Sequence, residues 1–340
     1  MQTEKITSLQ VAQRAGVSQS AVSRVFTPGA SASAKTVAKV KKAATELGYR
    51  PNMMARAMIT GKSRIIGLVV AYLDNQFYPL ALERLSNALQ AQGYHILVFT
   101  SSNAQDRIAE VISDLLDYQV DGIITASVGM TNDLTARCET AGIPVVMFNR
   151  GQDDAAVGSV TSANVAGGRK VAEFFVSCGH KRIAHIAGWA GSSTGRDRAR
   201  GFAEGLAAAG MKPLAVIDGH YDRSIAAQVT RDLMARSDPP DAIFVGNDHM
   251  AFAVLDTLRH ELGLRVPQDV AVIGYDDVPL AAWPAFSLST VRQPLNRMVD
   301  ATLDMLLAQI AQGEIAPRRI EFDGPLITRG TTLTPKGPKQ

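Results

Sequence analysis

Six short stretches hold the side chains best equipped for chemistry: Asp74-Asn75-Gln76-Phe77-Tyr78-Pro79, Asn149-Arg150, Ser192–Arg198, Tyr221-Asp222, Gly246-Asn247-Asp248 and Tyr275-Asp276-Asp277. They combine aromatic rings, carboxylates, amides and arginines. That mixture suits a neutral, polyhydroxylated ligand, because sugar hydroxyls need paired carboxylate and amide partners and a sugar face stacks on an aromatic ring. Any one Asp or Asn in such a stretch also serves as a turn former, so the weight lies in the set. A second group lies near the start of the chain. Gln19, Ser20 and Arg24 follow Ser18 at helical spacing; glutamine can pair bidentately with adenine and arginine with guanine in a DNA major groove.

The elements that must carry the first group alternate. Apolar strand patterns at Ile65–Ala71, His95–Thr100, Gly122–Thr125 and Val145–Phe148 are separated by helical patterns at Phe77–Gln92, Ile108–Tyr118 and Leu134–Ala141. After Gly158 the rhythm resumes with helices Val165–Cys178, Arg198–Ala209, Ile225–Ala235 and Met250–Leu262. Between and after them fall strands Arg182–Ala187, Ala215–Ile217, Ala242–Val245 and Val270–Gly274. Strands alternating with helices predict parallel sheets covered on both faces. Two such runs predict two doubly wound lobes, whose ligands bind at the carboxyl ends of the strands. The six polar stretches fall at those ends.

The second group needs a different frame. Thr7 and Ser8 are hydroxyl residues able to cap a helix, and Leu9, Ala12 and Ala15 then mark one apolar face. Gly16 allows a tight turn, Ser18 caps a second helix, Gln19–Phe26, and Ser33 caps a third, Ala34–Leu47, closed by Gly48. Two short helices joined by a three- to four-residue turn containing glycine form a helix-turn-helix, whose second helix enters the major groove. Beyond Pro51, Asn52 can cap and Gly61 can stop a further two-turn helix, too short to persist alone in water.

Charge divides the chain in the same place. Residues 1–64 hold eleven basic side chains against Glu4 and Glu46, a balance of +9, while the whole chain carries +3, leaving −6 on the remainder. A small basic head on an acidic body is the footprint of a protein that grips a polyanion at one end. At 340 residues, 46% hydrophobic and 20% charged, the chain belongs to neither the disordered nor the collagen-like class. No apolar run approaches the ~20 residues of a membrane span, and Met1–Thr7 lacks a signal-type apolar run. Cys138 and Cys178 are too few for a disulfide framework or a four-ligand zinc site, and the six histidines form no metal-ligand motif. Phosphate-binding, dinucleotide-binding and nucleophile-elbow motifs are missing. The expectation is a cytoplasmic protein that is not an enzyme and has no cofactor or metal.

At these residues the sequence resembles a family. Val11-Ala12-Gln13-Arg14-Ala15-Gly16-Val17-Ser18, Ala21-Val22-Ser23-Arg24-Val25, Ser33-Ala34-Lys35-Thr36 and Leu47-Gly48-Tyr49-Arg50-Pro51-Asn52 look like the head of the lac repressor (LacI) family. Gln10 and Thr27 stand where that family usually has Asp and Asn. The body, over Arg64–Thr332, is similar to the family's effector domain and to periplasmic sugar-binding proteins. Its clearest pieces are Cys178-Gly179-His180-Lys181-Arg182, Asn247-Asp248-His249-Met250-Ala251, Ile273-Gly274-Tyr275-Asp276-Asp277 and Thr290-Val291-Arg292-Gln293-Pro294.

The resemblance implies an all-α helix-turn-helix head (1–50), a hinge helix and linker (51–63) and an α/β two-lobed body (64–340). The lobes would comprise about 64–161 with 292–322 and about 162–290 with 323–332, with crossovers near Thr161, Val291 and Phe322. It assigns DNA contacts to Ser18, Gln19, Ser20, Ser23, Arg24, Lys35, Thr36 and Asn52. Met58 takes the place of the leucine that, in the family, wedges the central base step when two hinge helices meet in the minor groove. It assigns effector contacts to Phe77, Tyr78, Asn149, Arg198, Tyr221, Asn247, Asp276 and Gln293. The expected partners are a pseudopalindromic double-stranded DNA operator, a second copy of the chain and a mono- or disaccharide. A purine or nucleoside effector, corepressor dependence and a plain solute-binding protein remain as alternatives. The tail Leu333–Gln340 has no leucine heptad of the tetramerising kind.

Overall fold

The computed structural model describes residues 6–27, 30–51, 61–101, 105–152, 157–313 and 318–335. The chain divides into two compact units, Met1–Ser63 and Arg64–Gln340.

The first unit holds α1 (Ser8–Ala15), α2 (Gln19–Val25) and α3 (Ala34–Leu47). Thr7 caps α1 through a reciprocal capping box: its hydroxyl accepts from the Gln10 amide at 3.4 Å, and the Gln10 side-chain oxygen accepts from the Thr7 amide at 2.8 Å. Gln10, the departure from the family's Asp, thereby satisfies a helix-end donor. Ser18 and Ser33 cap α2 and α3, and Gly16 and Gly48 end α1 and α3 at φ +66°. Val11, Val22 and Val40 are wholly buried at the centre with Ala12, Ala15, Ala43 and Ala44; each such valine stabilises by ~1.5–3 kcal/mol over an exposed one. Leu9, expected on the inner face, is 51% exposed, and Val11 takes its place. A strict three-residue step drifts off the 3.6-residue turn, so the buried stripe runs through Val11, Ala12 and Ala15. Helix α2 ends at Val25, one residue early, and Phe26 turns its ring to Tyr49 at 5.9 Å. The expected hinge helix, with Asn52 and Met58, lies outside the described residues; Gly61 follows at φ +67°.

The second unit contains two six-stranded sheets. Its elements are β1 (Ile65–Val70), α4 (Phe77–Ala91), β2 (His95–Thr100), α5 (Gln105–Asp117), β3 (Gly122–Ala126), α6 (Asn132–Thr140), β4 (Val145–Phe148) and β5 (Gly158–Ser162). They continue with α7 (Asn164–Cys178), β6 (Ile183–Ala187), α8 (Ser193–Ala208), β7 (Ala215–Asp218), α9 (Arg223–Met234), β8 (Ala242–Val245) and α10 (Asp248–Asp256), which runs on as a π-helical turn. The last are β9 (Ala271–Asp276), β10 (Ser289–Arg292), α11 (Leu295–Gln312), β11 (Arg319–Phe322) and β12 (Leu326–Ile327). The orders are β11-β5-β4-β3-β1-β2 and β12-β10-β9-β8-β6-β7. Every pairing is parallel except β10 with β12.

In the first sheet, Ile66, Leu68 and Val70 face α4 and α11, while Val69, Ile123 and Met147 face α5 and α6. In the second, Ile186, Ile243 and Val272 face α9 and α10, while Ile183, Phe244 and Ile273 face α7 and α8. Near-continuous apolar strands are what two-sided burial requires. Helices α7 and α8 cross at glycines. A Cβ on Gly201 would collide with the Val165 carbonyl, and one on Gly168 with the Arg198 carbonyl. The chain passes from the first sheet to the second after β5, back after β10, and across again after β11. Each lobe is therefore assembled from separated pieces of sequence.

Candidate functional site

Most polar side chains of the cleft between the lobes stand in the loops after strands, and Tyr78, Thr194 and Arg198 come from the first two turns of α4 and α8. Tyr72, Asp74 and Asn75 follow β1, Ser127 follows β3 and Asn149 follows β4. Across the gap, Thr194 follows β6, Tyr221 follows β7, Asn247 follows β8 and Asp276 ends β9. Together these side chains line one cleft. Four of these residues hold left-handed backbone: Ser127 (φ 63°), Asn149 (φ 55°), Tyr221 (φ 58°) and Asp276 (φ 130°). Such conformations cost of order 1–3 kcal/mol each and gather where surrounding structure holds side chains in functional poses.

Arg198 is the hub. It is 3% exposed, and its Nε donates to Asn164 Oδ1 at 2.9 Å and its Nη1 to the Gly246 carbonyl at 2.6 Å. Its guanidinium lies 3.7 Å above the Tyr275 ring centre, and Nη2 is 3.7 Å from Asp276 Oδ1. Gln293 donates its Nε2 hydrogen to the same carboxylate at 2.7 Å. Burial raises Asp276 to about 6, opposed by Arg198 and by hydrogen bonds from Gln293 and Asn75. Below it, Asp248 is wholly buried, accepting from the Thr290 hydroxyl at 2.6 Å and the Val278 amide at 3.0 Å. Burial, reinforced by the charge on Asp276, pushes Asp248 up to about 8. Both carboxyls are thus raised, Asp248 further than Asp276, which faces Arg198. Burial also pushes the Tyr78 phenol up to about 12, so it stays a neutral hydroxyl.

The aromatic components are positioned by close backbone approach. A Cβ on Gly188 would overlap the Tyr221 ring, which therefore lies on bare backbone, its hydroxyl 3.1 Å from Thr194 Oγ1. Asn149 donates to the Tyr78 hydroxyl at 3.2 Å, leaving its buried Oδ1 without a hydrogen-bond partner; the buried Oε1 of Gln293 also has none. The site offers acceptors and carboxylate to a ligand rich in donors. Asp74 reaches across to His249, Oδ2 to Nε2 at 3.5 Å.

Of the effector residues expected from sequence, Tyr78, Asn149, Arg198, Tyr221, Asn247 and Asp276 converge on the cleft. Asn247 also caps α10 by accepting from the Met250 amide at 2.9 Å. Phe77 instead packs into the lobe core, stacked on Phe148 at 6.3 Å, and Gln293 stands behind Asp276. Tyr72 and Ser127 also line the cleft, though sequence reasoning did not single them out, and Thr194 joins them from the Ser192–Arg198 stretch. Their position within two residues of a strand end, or at the capped start of a helix, was the available signal. Among the described residues, no cluster of His, Cys, Asp and Glu could hold a metal ion, and no helix is long and apolar enough to cross a membrane.

On the head, the side chains expected to face DNA lie along the start of α2 and α3. Gln19, Ser20, Ser23, Arg24 and Lys35 are exposed and Thr36 is half-buried. Ser18 accepts from the Ala21 amide and shares a 2.9 Å hydrogen bond with the Ser20 hydroxyl. Gln19 Nε2 donates to Ser8 Oγ on α1 at 2.9 Å, and Arg24 Nε donates weakly to the Ser20 carbonyl at 3.4 Å. Thr36 bonds the capping hydroxyl of Ser33. Lys35, Lys39, Lys41 and Lys42 all point to solvent.

Comparison with known proteins meets both units. Residues 9–52 match the model for bacterial regulatory proteins of the lacI family, and residues 172–332 match a periplasmic binding protein-like domain. The HTH-type transcriptional regulator CelR of Thermobifida fusca is 32% identical over 94% of this chain and 96% of its own length. A transcriptional regulator CelR–cellobiose complex aligns with a TM-score of 0.73 at 30% identity, covering 96% of this chain and 100% of the other. The HTH-type transcriptional repressor PurR of Vibrio vulnificus is 28% identical over 94% and 97% of the two chains. The lac repressor dimer bound to operator and an anti-inducer aligns with a TM-score of 0.87 at 27% identity, covering 97% and 100%. With a helix-turn-helix head, a two-lobed body and these relatives along nearly its whole length, the chain belongs to the LacI family of DNA-binding transcriptional regulators and is not an enzyme.

Proposed function

We propose that this chain is a cytoplasmic repressor of carbohydrate-metabolism genes, whose homodimer holds a pseudopalindromic operator and whose grip is set by a small neutral saccharide in the cleft. The observation that carries the saccharide is the balance of charge around Arg198. Its donors are already engaged by Asn164, Gly246 and Asp276, so it offers little to a phosphate. The open functions are instead a carboxylate, the partnerless amide oxygen of Asn149, and the tyrosine rings. Hydroxyl donors on a sugar satisfy those acceptors. Ser18, Gln19, Ser20, Ser23, Arg24, Lys35 and Thr36 would form the operator face, and Asn52–Thr60 the hinge, with Met58 as its wedge. Closing the lobes on the ligand would change how two hinges meet.

The test is a thermal-shift and calorimetric screen of the full chain with neutral mono- and disaccharides, purine nucleosides and sugar phosphates. A binder present at a hundred times its Kd stabilises by about 2.7 kcal/mol, and its addition should change operator affinity. A response confined to purines or to phosphorylated sugars would refute the neutral-saccharide reading.

A further inference from the structure

The base-reading side chain of α2 is not free to turn. Gln19 is exposed, yet its amide nitrogen donates to Ser8 Oγ at 2.9 Å, a residue eleven positions earlier on a different helix. Ser8 is not the cap of α1, since Thr7 fills that role with Gln10, so its hydroxyl is available for this bond. Ser20, next to Gln19, is turned back onto the capping hydroxyl of Ser18. Of the two polar side chains that open α2, one is committed to the helix end and one is held outward.

We infer that Ser8 is a specificity-determining positioning residue that fixes the Gln19 amide as a reader of adenine and against guanine. The reasoning is an inventory of donors. A glutamine amide has two N–H donors and one carbonyl acceptor. Ser8 takes one N–H, leaving one donor and one acceptor, with no described residue bonded to Oε1. Adenine presents an acceptor at N7 and a donor at N6 along its major-groove edge, whereas guanine presents two acceptors. The remaining pair matches adenine and leaves one guanine acceptor facing a carbonyl oxygen. Without Ser8 the amide can rotate, and both N–H groups become available to guanine.

This inference rests on the operator-binding reading, and the experiment separates the two. The full-length chain is titrated with operators carrying each of the four base pairs at the half-site position that Gln19→Ala identifies. Wild type should prefer A·T over G·C there by about tenfold or more, the scale of one good bidentate pair. Ser8→Ala should reduce that ratio at least threefold, by about half of that discrimination on a logarithmic scale, while leaving the salt dependence unchanged. Ser8→Thr, which keeps the hydroxyl, should restore it. An unchanged ratio in Ser8→Ala, or a wild-type preference for guanine, overturns the inference while leaving operator binding intact. Failure of wild type to bind any operator would overturn both readings. Because Ser8→Thr retains the hydroxyl on α1, loss of discrimination in that variant too, with its melting temperature preserved, would also count against the inference.

Discussion

Effector binding should release a proton from Asp276. Among its own protein neighbours this carboxyl is raised to about 6, since burial outweighs Arg198 and the hydrogen bonds of Gln293 and Asn75. Hydroxyl groups of a bound sugar would donate to the carboxylate and favour its charged form. If they return it to an ordinary ~4, the free acid lies above the bound one. Affinity is then gained as pH rises through 6 and lost as it falls. At pH 5, about ten in eleven unliganded molecules carry the proton and about one in eleven liganded ones do. Affinity at pH 5 should thus be roughly tenfold below that at pH 7, with about 0.8 proton released per ligand. Above pH 7 the dependence on Asp276 should vanish, because its carboxyl is then ionised with or without ligand. Calorimetry at pH 5, 6 and 7 in two buffers of different ionisation enthalpy measures both quantities. Asp276→Asn should bind weakly and show neither the slope nor the release. An identical slope in Asp276→Asn, or affinity that falls as pH rises, would refute the reasoning.

Asp248 makes a separate claim on stability: its folded-state value lies above its unfolded one, so the unfolded chain ionises first and stability falls as pH rises toward 8. Urea midpoints should therefore drop between pH 6 and 8 in wild type and stay level in Asp248→Asn; a level wild type would contradict this. Gly201→Ala forces a methyl onto the Val165 carbonyl where α7 and α8 cross, and should cost more than ~2 kcal/mol of unfolding free energy. Lys35→Ala should weaken specific and non-specific operator binding alike and lower the salt slope by about 1, as read by fluorescence anisotropy at several salt concentrations. Met58→Ala should lose operator bending measured by energy transfer, whereas Met58→Leu should keep it, since either long apolar side chain can wedge a base step.

Much of this molecule was legible before any coordinates. The alternation of apolar runs with helical faces located the strands through Val270–Gly274, because strands buried on both sides leave no room for polar residues. The caps Ser18 and Ser33 and the stops Gly16 and Gly48 were readable because each has a single local job. What escaped was either too short or too polar to leave a pattern. Strands β5, β10 and β11 are brief and rich in polar residues, β12 is only two residues long, and no expected element covered α11. Helix α8 begins at Ser193, not Arg198, because its first turn, Ser-Thr-Gly-Arg-Asp, is polar where it meets the cleft and is announced only by the cap Ser192. The cleft itself was visible as a set of strand-end loops. The turn of Phe77 into the core was not visible, since it depends on which face of α4 meets Phe148. The bond between Ser8 and Gln19 depends on the crossing of two helices and has no trace in spacing.

The three passages between the lobes also set an order of events during synthesis. The first sheet needs β11 as its edge strand and α11 as the cover of β4 and β5. Both are encoded near the end of the chain, so this lobe cannot close until about residue 322 has left the ribosome. The head is complete some 270 residues earlier, a delay of roughly 14–54 s at ~5–20 residues per second. During that interval a nascent chain carries a folded basic head with no finished body to regulate it. Translation of this gene close to its own DNA would therefore expose a lone head to phosphate backbone before any ligand could be sensed, and a ribosome stalled within α11 would prolong that unregulated state.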